Sequence, residues 1–310
     1  MRPLASLVDL ADFASGTPIT VARCTASGFI EEFVAGTWPN GRAVVATDRF
    51  YGASLAKQLT GAAATILVRD GQLDPDQPVA RYLSDLPLWA ADITPRQLAH
   101  HIAGLPAGGV LEAQAPGDWT EDFVSAALAA LPGLATPPAA SYAYSNLGYI
   151  LLARLVASIS GEPFAAFVNA RLLVPLDIEG MGFARDIRTY PQVAHMGQCL
   201  PLTQGDGGLW STSRAFALWL HQQNQDALGL ADIVEAPGQL ANGMNTPYGW
   251  GLGLRTHQGH RLLIHGGEWT GAVAKAVRCP VRCLAVIAMA ANCPFQMLDR
   301  LVEMALNDAW

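Results

Sequence analysis

Positively charged side chains are scarce in this sequence. Of 310 residues, 19 are Lys or Arg against 26 Asp or Glu, so the net charge is −7 at neutral pH. An acidic chain without a basic cluster lacks the electrostatic footprint of a nucleic-acid-binding protein. It also lacks a basic segment that would seek an anionic membrane surface. We therefore expect no nucleic-acid or membrane partner, and a small-molecule substrate instead.

Long hydrophobic runs are also missing. The longest, residues 284–291, is too short to span a bilayer and predicts a buried strand. Asp9 and Asp12 interrupt the apolar residues near the first methionine, so the sequence as given shows no signal peptide. Unless a leader has been trimmed, we expect a cytoplasmic protein.

Cysteines are few, and their number is odd. Five cysteines without a dense framework favour reduced thiols, in agreement with a cytoplasmic location. Cys279 and Cys283 are four residues apart, but Pro280 lies between them and no second pair of Cys or His residues matches them. We therefore predict neither a metal site nor a cofactor.

Hydrophobic periodicity predicts strands at both ends of the chain and helices in its middle. The predicted strands are 20–24, 28–35, 43–46, 250–256, 261–265, 273–278 and 284–290, and the predicted helices are 54–68, 94–101, 120–131, 146–160, 213–223 and 295–309. This order indicates an α+β fold, in which an antiparallel sheet built from the N- and C-terminal segments is flanked by helices and carries an inserted, mainly helical lobe. We predict a single domain over residues 1–310. Its α/β lobe would span about 1–76 and 205–310, and its helical lobe about 77–204.

The first candidate site is Ser54-Leu55-Ala56-Lys57, at the start of a predicted helix. Residues three apart share a helix face, so the hydroxyl and the amine can meet. Lys57 and Lys275 are the only lysines in the chain, which makes a chance match less probable. A lysine in an apolar helix is costly unless its charge is offset or lost. The alternative, a surface lysine on an amphipathic helix, requires a polar face that Leu55 and Ala56 do not supply.

Two further motifs are weak when taken singly. Tyr144-Ser145-Asn146 precedes a predicted helix, where Asn146 has an ordinary role as an N-cap. His265-Gly266-Gly267 ends a predicted strand, where glycines would let a substrate chain pair with the strand edge. The alternative for the second motif is a simple Gly-Gly turn.

Together and in this order, the three motifs resemble those of the serine β-lactamase and penicillin-binding-protein superfamily. The resemblance runs from about residue 45 to the C-terminus and includes the segments 70–79, 93–105, 207–212 and 248–251. It indicates the branch of class C β-lactamases, D-peptidases and β-lactamase-like esterases, in which Tyr-x-Asn replaces Ser-Asp-Asn. The fold that this resemblance implies is β-lactamase/transpeptidase-like.

The resemblance also implies catalytic roles. Ser54 would be the nucleophile, Lys57 its base, Tyr144 the proton shuttle to the leaving group and Asn146 a hydrogen-bonding residue that positions the others. For Lys57 to accept a proton it must be uncharged near neutral pH, which burial favours. Whether Lys57 or Tyr144 is the principal base stays open.

The third motif bears on the substrate. The oxyanion hole would consist of the backbone N–H groups of Ser54 and Glu268, and His265 would replace the lysine of the usual motif. Gly266 and Gly267 supply no hydroxyl to hold a carboxylate, and Glu268 would repel one if its side chain points inward. With a neutral His265, we expect a neutral or cationic substrate, unless an arginine such as Arg255 reaches the site.

The predicted function is therefore that of a serine hydrolase, a carboxylesterase or amidase for a small molecule. The alternatives are a D-amino-acid peptidase, a β-lactamase or an acyltransferase of the same fold, and, from a different class, a non-catalytic binding or scaffold protein. Trp119, Trp210 and Trp269 would line a substrate pocket or belong to the core. We expect His100 and His101 to be a hydrogen-bonded pair at a helix end rather than metal ligands.

Overall fold

The computed structural model describes residues 1–106, 118, 120–184 and 186–310. The helices in this part of the chain are α1 (Leu4–Leu10), α2 (Ala56–Arg69), α3 (Pro95–Ala99), α4 (Glu121–Ala130), α5 (Asn146–Ser160), α6 (Phe164–Val168), α7 (Ser213–Asn224), α8 (Ala231–Val234) and α9 (Phe295–Asp308). The strands are β1 (Ile19–Cys24), β2 (Ile30–Ala35), β3 (Phe50–Tyr51), β4 (Met181–Phe183), β5 (Leu209–Ser211), β6 (Gly253–His257), β7 (His260–Trp269), β8 (Ala272–Cys279) and β9 (Leu284–Ala291).

The main sheet joins the two ends of the chain. Its strand order is β2-β1-β9-β8-β7-β6, and every neighbouring pair is antiparallel. β1 lies between β2 and β9, with Ile19 opposite Ala290 and Cys24 opposite Ala285. The helices α3 to α6 come from the middle of the chain, between the two contributions to this sheet. The predicted α+β fold class is confirmed.

Strand β9 shows why its sequence is apolar throughout. Leu284, Val286, Ala288 and Ala290 pack on one face of the sheet towards α9, whereas Ala285, Ile287, Met289 and Ala291 pack on the other face towards α7. A strand covered on both faces has no polar side, so its sequence reads as a continuous hydrophobic run. Helices on both faces thus form three layers with the sheet in the middle.

Helix α2 is enclosed by the protein. All twelve residues from Ala56 to Leu67 are buried, including Lys57. Its sequence is rich in alanine and carries no polar stripe, which agrees with a helix that meets protein all round. Within the described residues no single helix is long and apolar enough to cross a membrane; α5 and the stretch Phe164–Leu176 pass that test only as a pair bent by 80°.

Three parts of the fold differ from the sequence-based expectations. Residues 43–46 form no strand beyond a bridge between Thr37 and Ala43, because the Asp48 carboxylate accepts hydrogen bonds from Trp38, Arg42 and the Val45 N–H and holds this segment in turns. The N-terminal helix α1 was not predicted. Neither was the second sheet, of order β3-β5-β4, which packs Phe50 and Tyr51 beside β5.

Candidate active site

Ser54 lies where a short 3₁₀ turn, Ala53–Leu55, leads into α2. Ala53 has φ of 45°, in the left-handed region that L-residues rarely adopt. The turn is held by the Gly52 N–H, which donates to the Leu209 carbonyl at 2.8 Å. Ser54 is partly exposed while its neighbours Ala53 and Leu55 are buried. Ser54 was predicted in the first helical turn and lies instead in the 3₁₀ turn directly before it, because α2 begins at Ala56.

The Lys57 amine has three oxygen atoms around it. Nζ lies 3.1 Å from Ser54 Oγ, 2.8 Å from Asn146 Oδ1 and 2.8 Å from the backbone carbonyl oxygen of Asp206. The side chain is fully buried, with 0% of its surface exposed. The structure therefore brings together Ser54 from the turn before α2, Lys57 from α2 and Asn146 from the start of α5.

This geometry fits a neutral amine as well as an ammonium. A neutral amine has two N–H donors and one lone pair. The Asn146 amide oxygen and the Asp206 carbonyl oxygen can only accept, so they take both N–H donors. The lone pair then faces the Ser54 hydroxyl, whose proton it can accept.

Tyr144 lies on the other side of the amine. Lys57 Nζ is 5.0 Å from the centroid of the Tyr144 ring. The Tyr144 hydroxyl is buried and has no hydrogen-bond partner within the described part of the chain. A phenol beside the Lys57 amine, with no hydrogen-bond partner for its hydroxyl among the described residues, suits a proton-transfer group; its predicted role as shuttle stays a prediction.

His265 is locked in one neutral form. Its Nδ1 lies 2.6 Å from the Gly266 carbonyl oxygen and its Nε2 lies 2.7 Å from the Tyr248 hydroxyl. Because a carbonyl only accepts, Nδ1 carries the proton and Nε2 accepts from Tyr248. Burial, followed by positive charge at Lys57, lowers the pKa of His265 to about 3. At neutral pH His265 therefore offers no positive charge to a substrate, as expected.

Strand β7 passes close to the nucleophile. A Cβ atom built on Gly267 would lie 2.4 Å from the Gly52 carbonyl oxygen and 3.2 Å from the Ser54 nitrogen. Only a glycine allows this approach. The ladder between β6 and β7 begins at Gly253 opposite Ile264, so residues 265–269 extend beyond β6. This edge is available to a substrate chain, and the Glu268 N–H as an oxyanion donor stays a prediction.

The side chain of Glu268 lies on the wrong face of β7 to repel a substrate. Leu262 and Ile264 pack towards α9, and a Cβ on Gly266 would meet the Phe295 ring of α9 at 2.8 Å. Side chains alternate along a strand, so Glu268 shares this face, whereas Gly267 faces Ser54. Glu268 is also exposed. The repulsion that the sequence analysis expected for an inward side chain therefore does not arise, because Glu268 points outward.

The two glycines of β7 provide a matched test of this close approach. We expect Gly267→Ala to displace the Ser54 turn and lower kcat/KM by about 100-fold, since misplacing a reacting group by about 1 Å costs that much. Gly266→Ala adds the same methyl group on the opposite face, against the Phe295 ring, and should reduce stability while activity per folded molecule is retained. Thermal melts and kcat/KM for both variants check this. Equal losses of activity in the two would contradict it.

The tryptophans and the arginine considered for the substrate pocket lie in different parts of the structure. Trp210 is fully buried and stacks on Tyr190 with ring centroids 4.4 Å apart, so it belongs to the core. Trp269 is partly buried, and its indole N–H donates to the Cys199 carbonyl. Trp119 lies outside the described residues. Arg255 pairs with Glu303 of α9 at 3.1 Å, and thus on the face opposite to Ser54.

The structure adds residues that the sequence analysis did not place in the site. His101, Tyr248 and Asp206 all lie around the Lys57–Tyr144 pair. The His101 ring packs 4.3 Å from that of Tyr144 and 4.6 Å from that of Tyr248. A signal for all three was present, since His101 lies within, Asp206 directly precedes and Tyr248 begins a segment noted for its resemblance.

The adjacent histidines are held by hydrogen bonds. His100 Nδ1 donates to the Tyr248 carbonyl oxygen and its Nε2 accepts from the Trp250 indole. His101 Nδ1 accepts from the Ser145 N–H. Burial lowers the pKa of His100 to about 4 and that of His101 well below its usual value. Within the described residues, no group of three or more His, Cys, Asp or Glu side chains could hold a metal ion.

A family model and several curated proteins match this chain. The model of the family described as Beta-lactamase matches residues 32–298. Among curated proteins, the chain is 26% identical to a D-aminopeptidase of Brucella anthropi over 165 residues, which cover 49% of this chain and 32% of the relative. It is 25% identical to penicillin-binding protein 4* of Bacillus subtilis (strain 168) over 264 residues, covering 73% and 57%. The matches thus span about a third to just over half the length of these relatives.

Solved structures share the fold over the full length. A D-amino acid amidase from Ochrobactrum anthropi SV3, complexed with L-phenylalanine, superposes with a TM-score of 0.79 at 21% identity and covers 99% of both chains. A penicillin binding protein from Bacillus halodurans superposes with a TM-score of 0.82 at 19% identity and covers 100% of both. At these identities the likeness establishes the fold alone.

Proposed function

Because the chain belongs to the β-lactamase family, we propose that it is a serine hydrolase that forms an acyl-enzyme on Ser54 and cleaves an amide or ester bond of a small neutral or cationic molecule. The observation that carries the proposal is the contact of 3.1 Å between the Ser54 hydroxyl and the buried Lys57 amine, whose other two contacts are acceptors. A serine is a weak nucleophile until a base next to it removes its proton.

Acylation begins with transfer of the Ser54 proton to Lys57 as Oγ attacks the substrate carbonyl carbon. The negative charge that develops on the carbonyl oxygen is stabilised by the Ser54 N–H and the edge of β7, where losing one such donor costs about 3–4 kcal/mol. The Tyr144 hydroxyl passes a proton to the leaving amine or alcohol and regains one from the Lys57 ammonium. The acyl group then stays on Ser54 as an ester.

Deacylation repeats these steps with water in place of the serine. The neutral Lys57–Tyr144 pair removes a proton from the attacking water, and the same oxyanion donors hold the second tetrahedral intermediate. Collapse of this intermediate returns the proton to Ser54 Oγ and releases the carboxylic acid. An acceptor alcohol or amine in place of water would make the reaction an acyl transfer.

The charges around Ser54 support a substrate without a carboxylate at this end. His265 is neutral with both ring nitrogens engaged, Gly266 and Gly267 supply no hydroxyl, and Arg255 is paired on the far face. Among the described residues, these groups of the third motif and Arg255 offer a substrate carboxylate no cation and no hydroxyl in exchange for the hydration that it would lose. Because the orientation of Glu268 removes the repulsive part of the argument, this preference rests on missing attraction alone.

Amino-acid amides are the members of this class that the comparisons favour. An amino-acid amide carries an ammonium group and no carboxylate, so it meets the charge requirement. The relative from Brucella anthropi is a D-aminopeptidase and a structural neighbour is a D-amino acid amidase. This makes amidase activity on amino-acid amides the first reaction to assay, with esters of the same acids beside it.

The experiment that tests the proposal combines an active-site probe with a substrate panel. A fluorophosphonate should label Ser54, whereas a non-catalytic scaffold of the same fold would stay unlabelled. Neutral and cationic esters and amides, including D-amino-acid amides, should then exceed penicillins and cephalosporins by at least about 100-fold in kcat/KM, equivalent to about 2.7 kcal/mol. Efficient turnover of nitrocefin would contradict the substrate assignment without affecting the role of Ser54.

A further inference from the structure

A buried histidine in an unfavourable backbone conformation lies beside the second motif and has no part in the mechanism above. Helix α3 ends at Ala99, and His101 follows two residues later with φ of 57°. Helix ends usually place glycine or asparagine in this left-handed region, because other residues are strained there. Only 3% of the surface of His101 is exposed. Strain of this kind at a buried residue is often found at functional sites, which directs attention to what the side chain contacts.

His101 holds the backbone on both sides of Tyr144. The Ala143 N–H donates to the His101 carbonyl oxygen at 2.9 Å, and the Ser145 N–H donates to His101 Nδ1 at 3.1 Å. One of these donors directly precedes Tyr144 in the chain and the other directly follows it. A single residue therefore fixes the backbone immediately before and after the phenol of the second motif.

The acceptor role of Nδ1 requires a neutral imidazole. A backbone N–H can only donate, so Nδ1 carries the lone pair and Nε2 carries the proton. Burial, followed by positive charge at Lys57, lowers the pKa of His101 well below its usual value. At neutral pH the lone pair of Nδ1 is therefore available to the Ser145 N–H.

The ring of His101 also packs against the phenol. Its centroid lies 4.3 Å from that of Tyr144, with the two planes tilted by 38°, and 5.1 Å from that of Tyr149. The Tyr149 hydroxyl donates to the Ala99 carbonyl oxygen at 2.7 Å and so ties α5 to the end of α3. His101 thus belongs to a framework whose position relative to Tyr144 is set by contacts in both α3 and α5.

The position of Tyr144 matters because proton transfer needs hydrogen-bond reach. Its ring centroid is 5.0 Å from Lys57 Nζ, and misplacing a reacting group by about 1 Å costs about 100-fold in rate. Without the Nδ1 acceptor the buried Ser145 N–H would lose its partner. Because a buried unpaired N–H is unfavourable, the segment would move to find another acceptor and would carry Tyr144 with it.

We propose that His101 is a positioning residue for the reaction at Ser54: by accepting from the Ser145 N–H, its Nδ1 holds the Tyr144 hydroxyl where it can pass a proton. The inference rests on the proposed function. It also accounts for a histidine at a left-handed position that a glycine would occupy with less strain, since a glycine has no side-chain acceptor.

Three substitutions separate the acceptor from the ring. His101→Asn keeps an acceptor, since Asn Oδ1 and His Nδ1 are both two bonds beyond Cβ, and asparagine tolerates the left-handed region. Its kcat/KM for a p-nitrophenyl ester should stay close to the wild-type value. His101→Phe keeps a ring without the acceptor, and His101→Gly relieves the strain without the acceptor. Both should lower kcat/KM by about 10- to 100-fold. If one of these two does not fold, the other carries the measurement.

The neighbouring histidine provides a matched control. His100 is similarly buried, but its ring contacts the Tyr248 carbonyl oxygen and the Trp250 indole instead of the second motif. His100→Phe makes the same chemical change one position earlier in the chain. It should lower the melting temperature and keep the wild-type activity per folded molecule.

A double-mutant cycle tests whether His101 acts through Tyr144. In the Tyr144→Phe background the phenol hydroxyl is absent, so adding His101→Phe should cause little further loss. The two readouts are kcat/KM for the p-nitrophenyl ester and the rate at which a fluorophosphonate labels Ser54. A merely structural role of His101 would give the same loss in both backgrounds.

The outcomes separate the inference from the proposed function. Support consists of losses in His101→Phe and His101→Gly, rescue in His101→Asn and no further loss in the Tyr144→Phe background; if Tyr144→Phe is inactive, the rescue decides. Equal losses in both backgrounds, no rescue by His101→Asn, an equal loss in His100→Phe, or full activity without the acceptor would each overturn the role of His101 in an enzyme that still hydrolyses its ester. A wild type that is neither labelled nor active would overturn the proposed function itself.

Discussion

Ser54→Ala should abolish hydrolysis of a short-chain p-nitrophenyl ester, lowering kcat by a factor of about 10⁴ or more. The substitution removes the oxygen that attacks the carbonyl carbon. It also removes the hydroxyl proton that the Lys57 amine would accept. Steady-state kinetics on the purified variant measures the loss, and its thermal melt should match that of the wild type, since Ser54 is partly exposed and a hydroxyl is all that is removed.

A matched control is available on α5. Ser158 is exposed, and its hydroxyl donates to the Tyr82 carbonyl on the surface. Ser158→Ala should therefore keep full activity. Retention of even a tenth of the activity in Ser54→Ala would remove Ser54 from the role of nucleophile.

Lys57→Ala has the second large expected effect. The substitution removes the amine that lies 3.1 Å from Ser54 Oγ and takes its proton in the proposed mechanism. Acylation should therefore slow by about 10²- to 10⁴-fold, the usual contribution of a general base. Stopped-flow burst measurements with an activated ester report acylation separately from turnover. Normal burst kinetics in this variant would show that Tyr144, or no side chain at all, is the base.

The second lysine controls for the loss of a positive charge. Lys275 lies opposite Gly266 in the β7–β8 ladder, and its side chain reaches Asp299 of α9. Lys275→Ala leaves a partly exposed carboxylate unpaired, so stability should fall modestly. Acylation should stay as in the wild type.

Local patterns in the sequence identified most of the elements that carry the site. Helix α5 was predicted over 146–160 and is observed as Asn146–Ser160, because its apolar residues recur at helical spacing and Gly161 ends it in a left-handed conformation. Helix α2 was predicted with Ser54 in its first turn, close to what the structure shows. Such features depend on neighbours within a few positions, which a sequence displays directly.

The errors have two different origins. The predicted strand 43–46 does not form, because the Asp48 carboxylate accepts hydrogen bonds that hold the segment in turns. The apolar content of a segment does not reveal that such hydrogen bonds compete with strand pairing. The orientation of Glu268 was within reach of sequence reasoning: in a strand, residues three apart point to opposite faces, so an inward His265 requires an outward Glu268.

The contacts that complete the site could not be read from the sequence. Asp206 is 149 positions from Lys57, and Tyr248 is 17 positions from His265, across the turn between β6 and β7. Neither pair follows a helical or strand period, so their meeting depends on the packing of whole elements.

The placement of β1 between β2 and β9 has a consequence for biosynthesis. The ribosome makes β1, β2 and the nucleophile helix before β7 and β9, and Leu284 at the start of β9 follows Cys24 at the end of β1 by 260 positions (284 − 24). At a synthesis rate of about 5–20 residues per second, the edge of β1 that later pairs with β9 stays unpaired for tens of seconds. A nascent chain at this stage has its serine and its lysine but no catalytic cleft, and it exposes a pairing edge that chaperones would have to shield.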